Sequence, residues 1–108
     1  MKPAGLARGT VWFALMPEPI GRRPVVVLTR DVAIPHLTNV TVALVTRAVR
    51  GVPSEVALGP DQGLREECVA SCDNIHTISC SWLNRRVGTL DLAKLDALGR
   101  AVRLALDL

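Results

Sequence analysis

Short runs of apolar and β-branched residues alternate with polar segments that contain glycine or proline along most of the chain. Runs rich in Val, Ile, Thr and aromatic residues are typical of β-strands. The pattern predicts strands at residues 8–15, 24–29, 40–46, 53–58, 68–71, 74–78 and 87–90. The run at 53–58 opens with Pro53 and contains Glu55, so we expect an edge strand there.

The spacing of the apolar positions changes after Asp91. From there they recur at helical spacing, at Leu95, Leu98, Val102 and Leu106. Because Asp91 is a suitable N-cap, we predict a C-terminal amphipathic helix that packs on the sheet. Gly99 costs about 1 kcal/mol relative to alanine in the middle of a helix, so we expect close packing at that position.

Several short strands followed by one helix predict an α+β, mainly β, fold in which the strands form a small barrel. The chain has 108 residues and is 49% apolar, which suits a single domain over residues 1–108. We recognise no signal peptide in the sequence and no apolar run of roughly 18 residues, the length needed to span a membrane. We therefore expect a cytoplasmic protein without a membrane partner.

Charge adds a weak indication of the ligand class. Thirteen Lys and Arg residues face ten Asp and Glu residues, and the isoelectric point is about 9.1. Eleven of the thirteen are arginines. Arginine favours bidentate contacts with phosphate and carboxylate groups, although codon bias alone also produces such a composition.

Two adjacent arginines, Arg22 and Arg23, stand directly before Pro24 and the apolar run Val25–Leu28. Proline can open a strand, so a strand that begins at Pro24 places Arg23 at the rim where a loop enters the core. An arginine held by a rigid element suits a phosphate ligand. On position alone, a solvated surface arginine is the commoner interpretation. Arg22 should point the other way.

Thr46 ends the predicted third strand, just before Arg47. Its hydroxyl can donate to a phosphate oxygen, although threonine also simply favours strands. Asp73, Asn74 and His76 form a short polar run between apolar segments. Such side chains can bond base edges or stabilise a local turn. A lone histidine can act as an acid or base near neutral pH, but is more often structural.

Cysteines stand at positions 68, 72 and 80. On one strand, Cys68 and Cys72 would be about 13 Å apart, too far for a disulfide. We expect reduced, mostly buried thiols. The sequence has no C-x-x-C pair, Walker loop, H-E-x-x-H or acidic cluster, so we predict no metal and no cofactor.

Taken in order, these segments resemble the MazF/PemK family of toxin endoribonucleases. The matching pieces are Arg8–Phe13, Gly21–Leu28, Val40–Thr46, Cys68–Ile78 and the helix after Asp91. The resemblance implies an SH3-like barrel with a C-terminal helix that works as a homodimer. It also implies an mRNA interferase that cleaves single-stranded RNA at specific sequences without a metal and is neutralised by a cognate MazE-like antitoxin.

The resemblance assigns the catalytic roles to Arg23 and Thr46. The family's RNA-contacting acidic and amide pair falls on Asp73 and Asn74. Further RNA contacts are expected at Arg22, Arg47 and His76. The loop Met16–Gly21 is shorter than the glycine-rich loop with a Ser-Glu-Gln segment that family members often carry, which bears on specificity more than on activity.

The implied reaction is attack of an RNA 2′-hydroxyl on the adjacent phosphate, which yields a 2′,3′-cyclic phosphate or its opened product and a 5′-hydroxyl. Arg23 would neutralise charge on the phosphate and Thr46 would hold one oxygen. Arginine is a poor proton acceptor at neutral pH. We therefore hypothesise that His76, or a water held by Asp73, assists deprotonation.

Two alternatives remain open. One is a non-catalytic toxin of the same barrel type that binds gyrase, as CcdB relatives do, and the other is an inactive relative that only binds the antitoxin. Neither needs the pair of Arg23 and Thr46. In the toxin interpretation, an acidic, partly disordered antitoxin segment would cover Arg23.

Overall fold

The chain curls into one six-stranded antiparallel sheet that carries a single α-helix. A computed structural model describes residues 2–108; Met1, where the predicted domain begins, lies outside the described residues. The elements are β1 (Thr10–Leu15), β2 (Arg22–Val27), β3 (Asn39–Thr46), β4 (Glu55–Leu58), β5 (Cys68–Ser79), β6 (Leu83–Thr89) and α1 (Leu92–Leu106). The strand order β4-β5-β3-β2-β1-β6 places β4 at an edge, as predicted.

Apolar side chains are buried on both faces of the sheet. One core lies between the sheet and α1 and includes Val26, Ala43 and Leu98. The other core covers the opposite face and includes Val25 and Leu44. Because neighbouring residues on a strand face opposite ways, Val25 and Val26 enter different cores. This two-sided burial explains why the sequence of β2 is an uninterrupted apolar run.

The C-terminal helix is confirmed, with Asp91 as its N-cap. The Asp91 carboxylate accepts a hydrogen bond from the Lys94 backbone N–H at 2.9 Å. Leu98 is fully buried, whereas Leu106 is exposed. The expected close packing at Gly99 is wrong, because the atom nearest to an added Cβ would be a guanidinium nitrogen of Arg103 at 3.6 Å.

The β2 strand begins at Arg22, two residues before the predicted start at Pro24. Its pairing with β1 continues to Leu15 and Arg22, whereas its pairing with β3 stops at Val25 and Leu44. Pro24 therefore lies beyond the last pair with β3. A residue without an N–H is tolerated where the ladder is one-sided.

The prediction of two short strands at 68–71 and 74–78 is wrong, because β5 is one continuous strand. Its pairing with β3 is nevertheless interrupted. Ala43 faces Ile75 and Leu44 faces Ser71, so residues 72–74 have no partner on β3. This bulge is where the polar run begins. The last strand was also misplaced, because β6 begins at Leu83 and not at residue 87.

The loop between β4 and β5 packs on β6 and brings the two edges of the sheet together. A Cβ atom on Gly63 would collide with the Val87 carbonyl, and one on Gly88 would collide with the Gln62 carbonyl. Gly63 also has a φ of +85°. Only glycine at both positions allows the two backbones to approach this closely.

The three cysteines are buried, as predicted. Burial raises the pKa of the Cys72 thiol to about 11, and the neighbouring charge of Asp73 adds to the effect. Within residues 2–108, no helix has the length and apolar character required to cross a membrane.

Candidate functional site

A cavity of about 860 Å³ opens where β2 begins and β3 ends. It is lined by Arg23 and Thr46, together with residues from the loop after β3, the segment before β5, and β6. The charged residues in its lining are Arg23, Arg47, Arg65, Glu66 and Arg85. Four guanidinium groups against one carboxylate make the cavity suited to a polyanion.

Strand register brings the two predicted catalytic residues together. Val25 on β2 faces Leu44 on β3 in an antiparallel pair. Two residues past this last pair, the two strands carry Arg23 and Thr46, and both residues line the cavity. One phosphate group in the cavity can therefore contact both side chains.

The Arg23 side chain is half-buried, and its Nε–H is left without a partner. Nε is the buried side-chain nitrogen for which no hydrogen-bond acceptor exists among the residues that the structure describes. A buried donor without an acceptor costs about 1–3 kcal/mol, and native proteins rarely leave one. The Arg23 guanidinium is therefore not fully hydrogen-bonded within the described protein, and the residue lines the cavity.

The Thr46 hydroxyl is held in place by its own loop. Its oxygen accepts a hydrogen bond from the Ala48 backbone N–H at 3.0 Å. That contact uses one lone pair and leaves the hydroxyl proton free to donate. Thr46 is thus an oriented donor on the cavity wall opposite Arg23.

A tight hairpin positions the start of β2. The Met16 N–H donates to the Gly21 carbonyl at 3.1 Å, and Gly21 adopts a φ of +69°, which favours glycine. This short connection holds Arg22 and Arg23 at the mouth of the sheet. Arg22 is exposed and does not line the cavity, as expected from strand alternation.

Arg47 lies on the cavity rim in an ion pair. Its Nη1 is 3.0 Å from a carboxylate oxygen of Glu66, and both side chains are mostly exposed. The contact joins the loop after β3 to the segment before β5. Exposed pairs of this kind are worth about 0–1 kcal/mol, so a phosphate group can displace Glu66 from Arg47.

The second predicted group, at Asp73, Asn74 and His76, lies away from the cavity and is not part of its lining. Asp73 accepts a hydrogen bond from the Ser54 hydroxyl. Asn74 Oδ1 lies 3.1 Å from His76 Nε2. His76 faces Val42, four residues before Thr46 on β3, a separation of about 13 Å along the strand.

Sequence reasoning missed several residues that line the cavity, among them Phe13, Arg65, Glu66 and Arg85. The sequence indicates Phe13 only as part of the first strand and of the segment that resembles the toxin family. The adjacent arginines at 85 and 86 were a usable signal, but the predicted last strand began after them. The described residues contain no group of three His, Cys, Asp or Glu side chains close enough to hold a metal ion.

Comparison with protein families gives one match over nearly the whole chain. A model of PemK-like, MazF-like toxins of type II toxin–antitoxin systems matches residues 7–106. The endoribonuclease MazF3 of Mycobacterium tuberculosis is 48% identical over 86 residues, which cover 80% of this chain and 84% of the relative. The probable endoribonuclease MazF5 of the same organism is 41% identical over 102 residues, which cover 94% and 93%.

Solved structures give the same result. The Mycobacterium tuberculosis toxin MazF-mt6 is 42% identical, with a TM-score of 0.84 over 92% of this chain and 97% of that one. A mycobacterial endoribonuclease in complex with its cognate antitoxin is 25% identical, with a TM-score of 0.83 over 96% and 97%. These likenesses confirm the predicted mainly β barrel with a C-terminal helix.

Proposed function

The chain belongs to the PemK-like, MazF-like family of type II toxins, and we propose that it is an endoribonuclease that cleaves single-stranded RNA at specific sequences. Its relatives MazF3 and MazF5 carry the name endoribonuclease. The match to MazF5 spans 94% of this chain, which supports a single domain that carries the whole activity.

One observation carries the proposal: Arg23 and Thr46 line one cationic cavity where β2 begins and β3 ends, and the Arg23 Nε–H is buried without an acceptor. A phosphodiester has two non-bridging oxygens that can accept from both donors at once. A solvated surface arginine, the commoner interpretation on position alone, would have no buried unpartnered nitrogen.

We propose that the 2′-hydroxyl oxygen of the RNA gives its proton to water and attacks the adjacent phosphorus, while the bond from phosphorus to O5′ breaks and O5′ takes up a proton from water. The products are then a 2′,3′-cyclic phosphate, or its opened form, and a 5′-hydroxyl. Negative charge gathers on the non-bridging oxygens in the transition state. Arg23 would offset that charge and Thr46 would hold one of these oxygens, so the reaction would need no metal ion.

The remaining polar residues would hold the RNA on either side of the reacting phosphate. Arg47 lies on the cavity rim, and Arg22 is exposed next to Arg23 in the sequence. Asp73, Asn74 and His76 lie further along the sheet and can bond bases of unpaired RNA. In this proposal they bind RNA at a distance from the cleaved bond, and His76 is not the proton acceptor.

We further propose that the toxin acts in the cytoplasm as a homodimer and is neutralised by a MazE-like antitoxin. A solved relative at 25% identity is a complex with its cognate antitoxin. The four arginines that line the cavity would attract an acidic, partly disordered segment that becomes ordered as it binds. Arg23 would lie under that segment.

The test is cleavage of several unrelated single-stranded RNAs by the pure protein in the presence of EDTA. We expect discrete products with 5′-hydroxyl ends and 2′,3′-cyclic phosphate ends. A single 2′-deoxy substitution before the cut should abolish that cut, because it removes the nucleophile. The Arg23→Ala protein serves as the inactive control.

No cleavage of any RNA by the wild-type protein would contradict the proposal. A gyrase inhibition assay on the same sample would then separate the gyrase-binding alternative from an inactive relative. Cleavage that appears only when a divalent metal is added would overturn the metal-free mechanism while keeping the RNA substrate.

A further inference from the structure

We propose that Phe13 and Arg85 form a base-binding shelf, on which one unpaired base of the RNA stacks beside the reacting phosphate. The inference rests on the proposed RNA substrate and adds a binding subsite to it. No step of the cleavage reaction described above uses either residue.

Phe13 is the single phenylalanine of the chain, yet it belongs to neither core. Both cores include the residues that neighbour it on β1, with Trp12 and Ala14 in one and Val11 in the other. Phe13 itself is only half-buried and lines the cavity together with Arg23. An aromatic ring of this size normally contributes to a core, so its place in the cavity wall calls for a ligand.

The register of β1 and β6 sets Arg85 directly opposite Phe13. The pairing slips on both sides of this pair, between Val11 and Trp12 and again between Phe13 and Ala14. Bulges re-aim the side chains next to them and increase the local twist. The Arg85 guanidinium carbon lies 5.9 Å from the centroid of the Phe13 ring.

A phenylalanine ring and a guanidinium plane are the two flat surfaces on which proteins stack unpaired bases. The cavity volume of about 860 Å³ is at the upper end of the range for small-molecule sites. A phosphate on Arg23 and Thr46 fills only part of that space. The neighbouring base of the same strand is therefore within reach of the shelf.

RNA is a better match for this shelf than a peptide from a protein partner. The antitoxin segment expected over the cavity is acidic, and carboxylates pair with guanidinium groups but gain nothing from an aromatic face. A nucleotide uses both features, because its phosphate binds the arginines and its base stacks on the ring.

The experiment measures binding of 2′-O-methyl oligonucleotides, which lack the attacking hydroxyl and stay intact. Their sequence is that of an RNA cut by the wild-type protein, with one base removed at a time. For wild type, we expect removal of one base next to the cut to weaken binding about tenfold. For Phe13→Leu, binding should already be weakened and insensitive to removal of that base.

Three further variants control for the aromatic ring and for charge. Phe13→Tyr keeps the ring and should restore the sensitivity to base removal. Arg85→Gln should weaken binding of the intact oligonucleotide more than Arg86→Gln does, because Arg86 loses the same charge one residue along β6 but does not line the cavity. Thermal melting of each variant confirms that it is folded.

The shelf proposal is overturned if removal of each base changes the binding affinity of wild type and Phe13→Leu equally. It is also overturned if Phe13→Leu weakens binding of an antitoxin peptide but not of the oligonucleotides. If the wild type cleaves RNA but the two proteins respond equally to base removal, the endoribonuclease proposal remains intact. A wild-type protein that neither cuts nor binds RNA overturns both proposals together.

Discussion

Two polar groups on the same sheet differ in what their side chains bond to. At the cavity, the Arg23 Nε–H has no acceptor within the described protein, and the Thr46 hydroxyl proton is free to donate. On the β5 bulge, Asp73 already bonds Ser54, and Asn74 lies within hydrogen-bond distance of His76. The cavity group lacks partners that a ligand can supply, whereas the bulge group is satisfied by its neighbours.

Under the proposed function, this difference separates the residues that would act on the phosphate from those that would bind the bases. Unsatisfied, preorganised donors can stabilise charge that develops on a phosphate without first breaking a protein contact. Side chains that bond one another must exchange those bonds for bonds to RNA, so their net contribution to binding is small. The sequence predicted catalytic roles for Arg23 and Thr46 and RNA contacts at Asp73, Asn74 and His76, with His76 as a candidate base. The strand register places His76 opposite Val42, about 13 Å from Thr46 along β3.

The largest effect should come from Arg23→Ala. Loss of a preorganised donor to the transition state should lower the cleavage rate about 10²–10³-fold. The matched control is Arg22→Ala, which removes the same charge one residue away, outside the cavity, and should cost less than about tenfold. Single-turnover cleavage of an end-labelled RNA measures both, and equal losses would mean that only the local charge matters.

Thr46→Val should lower the cleavage rate by about tenfold to a hundredfold. The change keeps the shape of the side chain but removes a hydrogen bond to a charged oxygen, worth about 1.5–3 kcal/mol. Thr46→Ser retains the hydroxyl and should stay close to wild type. If valine and serine behaved alike, the hydroxyl would have no part in the reaction.

His76→Ala should weaken RNA binding by no more than about fivefold, in line with one exchanged hydrogen bond. The acidic limb of the pH–rate profile should not change, because His76 lies outside the cavity. Rates measured from pH 5 to 9 check this. Disappearance of that limb would make His76 the general base and remove the distinction between the two groups.

Glu66→Gln should have the smallest effect and the opposite sign. Freeing Arg47 from its exposed carboxylate partner should strengthen RNA binding about twofold to fivefold at low salt, and less at high salt. Asp96→Asn, which removes the exposed ion pair to Arg100 on α1, is the matched control and should leave binding unchanged. An equal gain in both variants would indicate net charge alone.

The fold was largely predictable because its strands and helix carry their own signals. The apolar run of β2 reflects burial on both faces of the sheet. The helix is marked by Asp91 at its N-cap and by apolar residues such as Leu98 at helical spacing. The start of β6 was missed for a physical reason. Asn84 and Arg85 are polar and exposed, so pairing with β1, and not side-chain burial, holds them in the strand.

The candidate site was predictable only in part. Arg23 and Thr46 stand next to recognisable strand ends, so their position in the sequence marks them. Phe13 and Arg85 meet only because β1 and β6 slip twice in register, and residue types do not encode such slips. The separation of His76 from the cavity likewise depends on the bulge at residues 72–74, which the sequence showed only as a polar interruption.

The contact of the β4–β5 loop with β6 has a consequence for how such toxins can diversify. Gly63 in this loop and Gly88 on β6 approach the Val87 and Gln62 carbonyls so closely that neither position tolerates a side chain. Beyond this clamp, residues 65–67 are exposed, and Arg65 and Glu66 line the cavity. Under the proposed function, substitutions at Arg65 and Glu66 would change which RNA sequence the cavity accepts without disturbing the glycine contacts that hold the loop on β6.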